Sequence, residues 1–407
     1  MRWNQLLGAC AGVFVGGVLA GCSDGNSPNE NPVPTTVTAV GAGQTAMAGT
    51  AVATPVGVTV KDQFGHAISG IAVGFAVSAG GGFVNPAVDT TNAQGVATTS
   101  WVLGSAVGAA SDSLTATVNN SSGAPTVITA STTPVVSAYN ISLRFLTPMT
   151  APEAAAFNAA AARWSSIIVG DLPSDVVVAN TGDCGDNSPP MNETVDDIVI
   201  FATIDSLDGP GNILGGAFPC WIRDVGSLTL VGAMVFDSAD MGTLEANNIL
   251  NAVILHEMGH VFGIGTLWTY MTPSLLTGAG TLNPYFTGAG GIMQFNMDGG
   301  LGYAGSKVPV ENQGGPGTAD GHWRESVMGR ELMTGYISLN SNPLSTITIA
   351  SLQDMGYTVS YANADPYTVS PLNLRMGPGA GDVRLLEMKP TATIKRVDAA
   401  GRILHGK

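Results

Sequence analysis

Two of the five histidines in this 407-residue chain stand four positions apart, in His256-Glu257-Met258-Gly259-His260. On a helix, residues i and i+4 share one face a turn apart, so both imidazoles can reach a single ion. Glu257, about 100° round the helix, flanks that ion and can hold a water bound to it. The pattern points to zinc, which acidifies such a water while the glutamate takes its proton during attack on a carbonyl. Random sequence of this composition contains on the order of 0.001 such matches. No proline interrupts residues 244–262, so the motif is expected on one long helix.

A catalytic zinc takes three protein ligands and keeps a fourth position open. The other histidines are His66, His322 and His405. Only His322, 62 residues beyond His260, lies in the same region of the chain. Glu311, Glu325 and Glu331 are alternative third ligands.

Several features together resemble the leishmanolysin family of metzincins. Gly263 stands three residues after His260, Thr266 occupies the place of the third His of the compact motif, and a long insertion precedes His322. Glu331-Leu332-Met333-Thr334 then matches the family's Met-turn. The resemblance covers about residues 139–361 and implies one catalytic Zn²⁺ on His256, His260 and His322. It further implies Glu257 as the catalytic base and Met333 as a hydrophobic floor. Tyr336 becomes a candidate oxyanion donor, as in the astacin branch. The implied domain is α+β: a twisted five-stranded sheet, a backing helix, the active-site helix and a loop-rich C-terminal subdomain.

Local patterns fill in this domain. Thr150 and Glu153 form a capping box before a helix with Phe157, Ala161, Trp164 and Ile168 on one stripe. Strands are expected at 139–146, 175–179, 198–203, 212–216 and 228–237, and a last helix at 347–355. Residues 213–216 are the favoured edge for an extended peptide substrate. Asp237 and Asp240 read as solvated loop acids or a cation site, and Trp268 and Trp323 as shapers of the cleft or as packing. Unlike eukaryotic members, this domain holds two cysteines, Cys184 and Cys220, expected to pair in an oxidising compartment. Apart from Cys10 and Cys22, no cysteine precedes it, so a cysteine switch is not expected.

Residues 35–133 differ in character. Short alternating runs of Thr, Val, Ala and Gly, separated by turns such as Asp62-Gln63-Phe64-Gly65, predict an all-β sandwich. They resemble the bacterial Ig-like domain of the invasin and intimin type, which implies a surface spacer. His66 reads as a surface residue of that module.

Ahead of it, Met1-Arg2, an apolar run at 6–19 and Leu19-Ala20-Gly21-Cys22 resemble a bacterial lipoprotein signal. Cys22 is then lipid-modified, and residues 22–34 are a polar tether. The longest apolar stretch, about 15 residues, falls short of the ~20 that a spanning helix needs. The net charge of −15 lacks the basic footprint of a nucleic-acid binder. Residues 366–407 are the exception, at net +4 on a body of −19. That tail is expected to dock on the acidic body, meet a negatively charged envelope or fray.

The expected organisation is multi-domain: residues 1–21 signal, 22–34 tether, 35–133 Ig-like, 139–365 metalloprotease and 366–407 tail. The expected function is zinc endopeptidase action on envelope or extracellular proteins. The protein would be lipid-anchored to the outer membrane or cell surface, or released. The alternative is a surface adhesion protein whose second domain recognises peptides or matrix without turnover.

Overall fold

Turn-forming residues cut the first part of the chain into short strands, which assemble into two sheets. The computed structural model describes residues 31–119, 123–185, 187–303, 307–369, 378, 381–388 and 393–404. The signal-like segment, Cys22 and His405 lie outside them. One sheet orders Pro34–Val40, Val56–Asp62, Val96–Leu103 and Gly82–Asn85. The facing sheet is built on Ala72–Ala79, Gly108–Val118 and Thr126–Thr133. Alternation sends Val58, Val60, Trp101, Leu114 and Ile128 into the space between, where all are fully buried. His66 is exposed and pairs with Asp62 at 3.5 Å.

The second part is α+β. Its sheet runs Ile141–Phe145, Ile198–Asp205, Thr229–Asp237, Gly215–Arg223, Lys395–Val397 and Ile403–Leu404. The first three are parallel, and Gly215–Arg223 returns antiparallel. This corrects the five-stranded expectation. Four strands come from the body and two from the tail, while Asp175–Ala179 pairs with Met191–Val195 in a separate hairpin. The strand expected at 212–216 begins at Gly215 and runs on to Arg223.

Helices Ala151–Ser165 and Leu250–Val261 pack on one face of this sheet through Phe157, Trp164, Ile254 and Met258. The capping box forms, with Thr150 N–H donating to Glu153 at 2.6 Å. The long helix expected over 244–262 is two: Ser238–Ala246 and Leu250–Val261, parted where Asn248 adopts φ +56°. Asparagine tolerates that left-handed conformation, so the break is locally encoded. The stretch after the second helix also contains a helix, Ala289–Met297, which packs against Thr346–Met355 through the Asp354 carboxylate bonded to Gly290 and Gly291 N–H. Among the described residues, no helix is long and apolar enough to cross a membrane.

The two parts touch at Gly49. Tyr361 N–H donates to Gly49 O at 2.9 Å, and Ser360 Oγ to Ala48 O at 2.7 Å. A Cβ on Gly49 would lie 2.1 Å from Ala362 N, and φ there is +70°, so only glycine fits.

Candidate metal centre

Helix Leu250–Val261 brings His256 and His260 to the sheet-facing cleft, and Gly263, at φ +106°, ends the turn that follows. His322 approaches from the loop-rich subdomain. The three Nε2 atoms form a triangle: 3.0 Å between His256 and His260, 3.1 Å from each to His322. Each Nδ1 donates to a backbone carbonyl: His256 to Leu332 at 2.6 Å, His260 to Ile264 at 2.8 Å, His322 to Thr318 at 2.9 Å. A carbonyl only accepts, so in the neutral form every Nε2 presents a lone pair to the other two. Three lone pairs converging this closely repel unless a cation lies among them. Nitrogens bound tetrahedrally to zinc at about 2.0–2.1 Å would stand roughly 3.3 Å apart, so the donor set fits that ion. The backbone carbonyls act as outer supports that fix ring orientation.

Burial lowers the His256 pKa to about 4. Burial also pulls His322 down, but the carboxylate of Glu387 more than offsets it and the pKa is raised. Glu257 is buried, and its Oε2 has no hydrogen-bond partner among the described residues. Burial pushes its carboxyl well above the usual range, and the charge of Glu387 adds to this.

Met333 is fully buried beside the histidine helix. A Cβ on Gly259 would lie 2.8 Å from Met333 Sδ and 3.1 Å from Trp164 Cζ2, which explains a glycine in mid-helix. The loop is anchored by Glu331, whose carboxylate accepts from Met333 N–H at 2.6 Å, Ser345 Oγ at 2.7 Å and Thr348 Oγ1 at 2.5 Å. Glu311 and Glu325 likewise serve the loops. Glu311 accepts from the N–H groups of Asn312, Gln313 and Glu325, and Glu325 is pushed up to about 7 by burial. None of these three alternative ligands belongs to the histidine cluster.

Tyr336 lines a cleft of about 220 Å³ with Glu311, Thr318 and Arg384. Asp237 and Asp240 are buried, not solvated: Asp237 caps the helix Ser238–Ala246 and holds Asp208 and Gly209 N–H, and Asp240 accepts from Gly211. Trp268 and Trp323 are fully buried against Phe286, so they pack. Cys184 and Cys220 form a disulfide, with Cα atoms 5.2 Å apart.

The structure adds a residue that the sequence reading missed. Glu387 Oε1 lies 2.7 Å from His322 Nε2 and 3.3 Å from His256 Nε2, and Oε2 lies 3.7 Å from His260 Nε2. Burial raises its pKa, but the charges of His322 and His260 outweigh that and hold it well below the usual carboxylate range. The available signal was an acid flanked by Leu385, Leu386 and Met388 in a tail of net positive charge.

A family model described as Leishmanolysin matches residues 304–369, a segment that includes His322 and Met333. Among solved structures, the D00-D0 domain of intimin is 20% identical, with a TM-score of 0.20, over 25% of this chain and 48% of that one. Domains 4 and 5 of the S-layer protein SbsC are 22% identical, with a TM-score of 0.18, over 25% and 53%. The chain thus spans about half the length of each. No curated protein matches the chain.

Proposed function

We propose that the chain is a zinc-dependent endopeptidase of leishmanolysin type, carried on an Ig-like stalk and lipid-anchored at the bacterial surface through Cys22. The observation that carries this reading is the convergence of three Nε2 atoms, each with its Nδ1 pinned to a carbonyl, beside a buried carboxylate on the same helix. The matched leishmanolysin segment supports it from an independent direction. His256, His260 and His322 would hold the ion.

Zinc bound there supplies Lewis acidity toward a peptide carbonyl and lowers the pKa of a water to about 7. Glu257 takes the proton of the attacking water on its carboxylate and passes it to the leaving amine nitrogen. Met333 holds the floor beneath the histidines. Tyr336 is the candidate oxyanion donor, and the edge at 213–216 is the candidate track for an extended protein or peptide substrate. Export is supported by the lipoprotein-like residues 19–22 and by the disulfide, which belongs to an oxidising compartment.

The test is hydrolysis of a mixed peptide library by the zinc-loaded chain beside Glu257→Ala. Cleavage lost in the variant, with zinc still bound, supports the mechanism. Cleavage unchanged in the variant rules out Glu257 as its base.

A further inference from the structure

We propose that Glu387 is a fourth protein ligand of the metal, and that residues 385–388 are the chain's own occupant of the cleft in which a substrate strand would lie. The proposal rests on the zinc-peptidase reading and deepens it into regulation of the same site.

Geometry at the histidines comes first. One carboxylate faces all three Nε2 atoms, at 2.7, 3.3 and 3.7 Å, and its side chain is only 9% exposed. A surface acid straying near a cluster would not be enclosed in this way. Histidine and carboxylate oxygen are both ordinary zinc donors, and four protein donors make a closed site, whereas a catalytic one keeps a position open.

The backbone around Glu387 makes the same point. Leu385 N–H donates to Gly335 O at 3.0 Å, just beyond the Met333 loop. On the opposite wall, Leu214 N–H donates to Leu386 O at 3.0 Å, and Met388 N–H donates to Gly215 O at 2.8 Å. The segment is thus bonded on both sides of the cleft, parallel to the edge at Leu214 and Gly215. Those edge groups are the ones an incoming strand would need. Two glycines make room for it. A Cβ on Gly216 would meet Met388 Cβ at 3.0 Å, and one on Gly317, at φ +101°, would meet Glu387 O at 2.8 Å.

Further along, Lys395–Val397 adds in parallel to Trp221–Arg223 of the same strand. Lys395 reaches Asp183 at 2.7 Å and lies over the Trp221 ring at 4.7 Å. The basic tail on the acidic body is therefore docked at two places, and the first of them carries the carboxylate to the histidines.

Substrate and tail cannot use Leu214, Gly215 and the fourth metal position together. An intramolecular occupant has an effective concentration in the mM range, so most substrates compete poorly until the segment leaves. The docked tail therefore slows turnover by the resting chain without abolishing it.

The experiment uses the full chain as wild type, Glu387→Ala and Glu387→Gln, each loaded with cobalt(II) and with zinc. Three quantities are read: metal stoichiometry, the visible spectrum of the cobalt form, and calorimetric affinity for a peptidyl hydroxamate. The proposal predicts one ion in all three proteins and a changed cobalt spectrum in both variants. It also predicts hydroxamate affinity raised by at least about tenfold, or about 1.4 kcal/mol. Glu387→Gln keeps the side-chain shape, so its response separates loss of the ligand from loss of fold. Equal spectra and equal affinities across the three proteins overturn the proposal and leave the zinc reading intact. Failure of the wild type to bind cobalt or zinc overturns the zinc reading itself.

Discussion

Glu331 touches no metal-binding atom, yet the site depends on it. Its Oε1 accepts from Ser345 N–H, Ser345 Oγ and Thr348 Oγ1, and its Oε2 accepts from Met333 N–H. The residue is fully buried, and burial raises its pKa. Replacing it with alanine leaves the Met333 amide and the Ser345 and Thr348 groups unsatisfied in a dry interior. Each unsatisfied group costs about 1–3 kcal/mol, so a net loss of about 4 kcal/mol is expected after partial relaxation and water entry. Glu331→Gln is the sharper change. Its carbonyl still serves Ser345 and Thr348, but its amide then opposes the Met333 N–H, donor against donor, at a cost of about 2 kcal/mol. The Met333 loop also carries Leu332 O, the acceptor for His256 Nδ1, so metal affinity should fall about 10–100-fold in both variants. Urea unfolding followed by tryptophan fluorescence, with a zinc competition titration, measures both effects. A Glu331→Gln chain as stable as wild type, with unchanged zinc affinity, would refute the claim that this carboxylate holds the loop under the histidines.

Three further outcomes follow from the same contacts. Glu325, held at about 7 by burial against an ordinary 4.5, keeps its proton in the folded chain when the unfolded chain has lost it. Stability from this group is present below pH 4.5 and lost as pH rises through 7, so Glu325→Gln should gain up to about 3 kcal/mol at pH 8 and nothing at pH 4, by denaturation at the two pH values. Replacing Cys184 and Cys220 by serine opens a loop of 36 residues, with an expected loss of about 3–4 kcal/mol and a lower Tm; an unchanged Tm would contradict it. Gly49→Val forces a Cβ to within 2.1 Å of Ala362 N at a positive φ, and should speed proteolysis between the Ig-like part and the remainder without loss of far-ultraviolet ellipticity; unchanged cleavage would count against that junction.

What could be read from the chain was whatever local chemistry determines. The helical spacing of His256 and His260, the Thr150 cap, the alternation of Val58 and Val60 and the lone His322 in its region all act over short distances or by scarcity. The misses were of another kind. The helix break at Asn248 was local but weak, since asparagine also occurs inside helices. Asp237 and Asp240 gave no sign of being buried, because the backbone groups they hold at 208–211 lie almost thirty residues earlier. The helix Ala289–Met297 begins with three small residues and is fixed by contact with Thr346–Met355, a tertiary effect that propensity does not carry. Glu387 was the largest omission. It reaches His256 across 131 positions, brought there by the pairing of the tail with Gly335 on one side and with Leu214 and Gly215 on the other.

The most direct test of the central claim is metal analysis of the purified full chain beside His322→Ala. The account predicts one zinc per wild-type chain and, after equilibration with a chelating buffer, little or none in the variant, with circular dichroism showing both folded. Wild type without zinc, or a His322→Ala chain that holds zinc as tightly as wild type, would contradict the three-histidine centre.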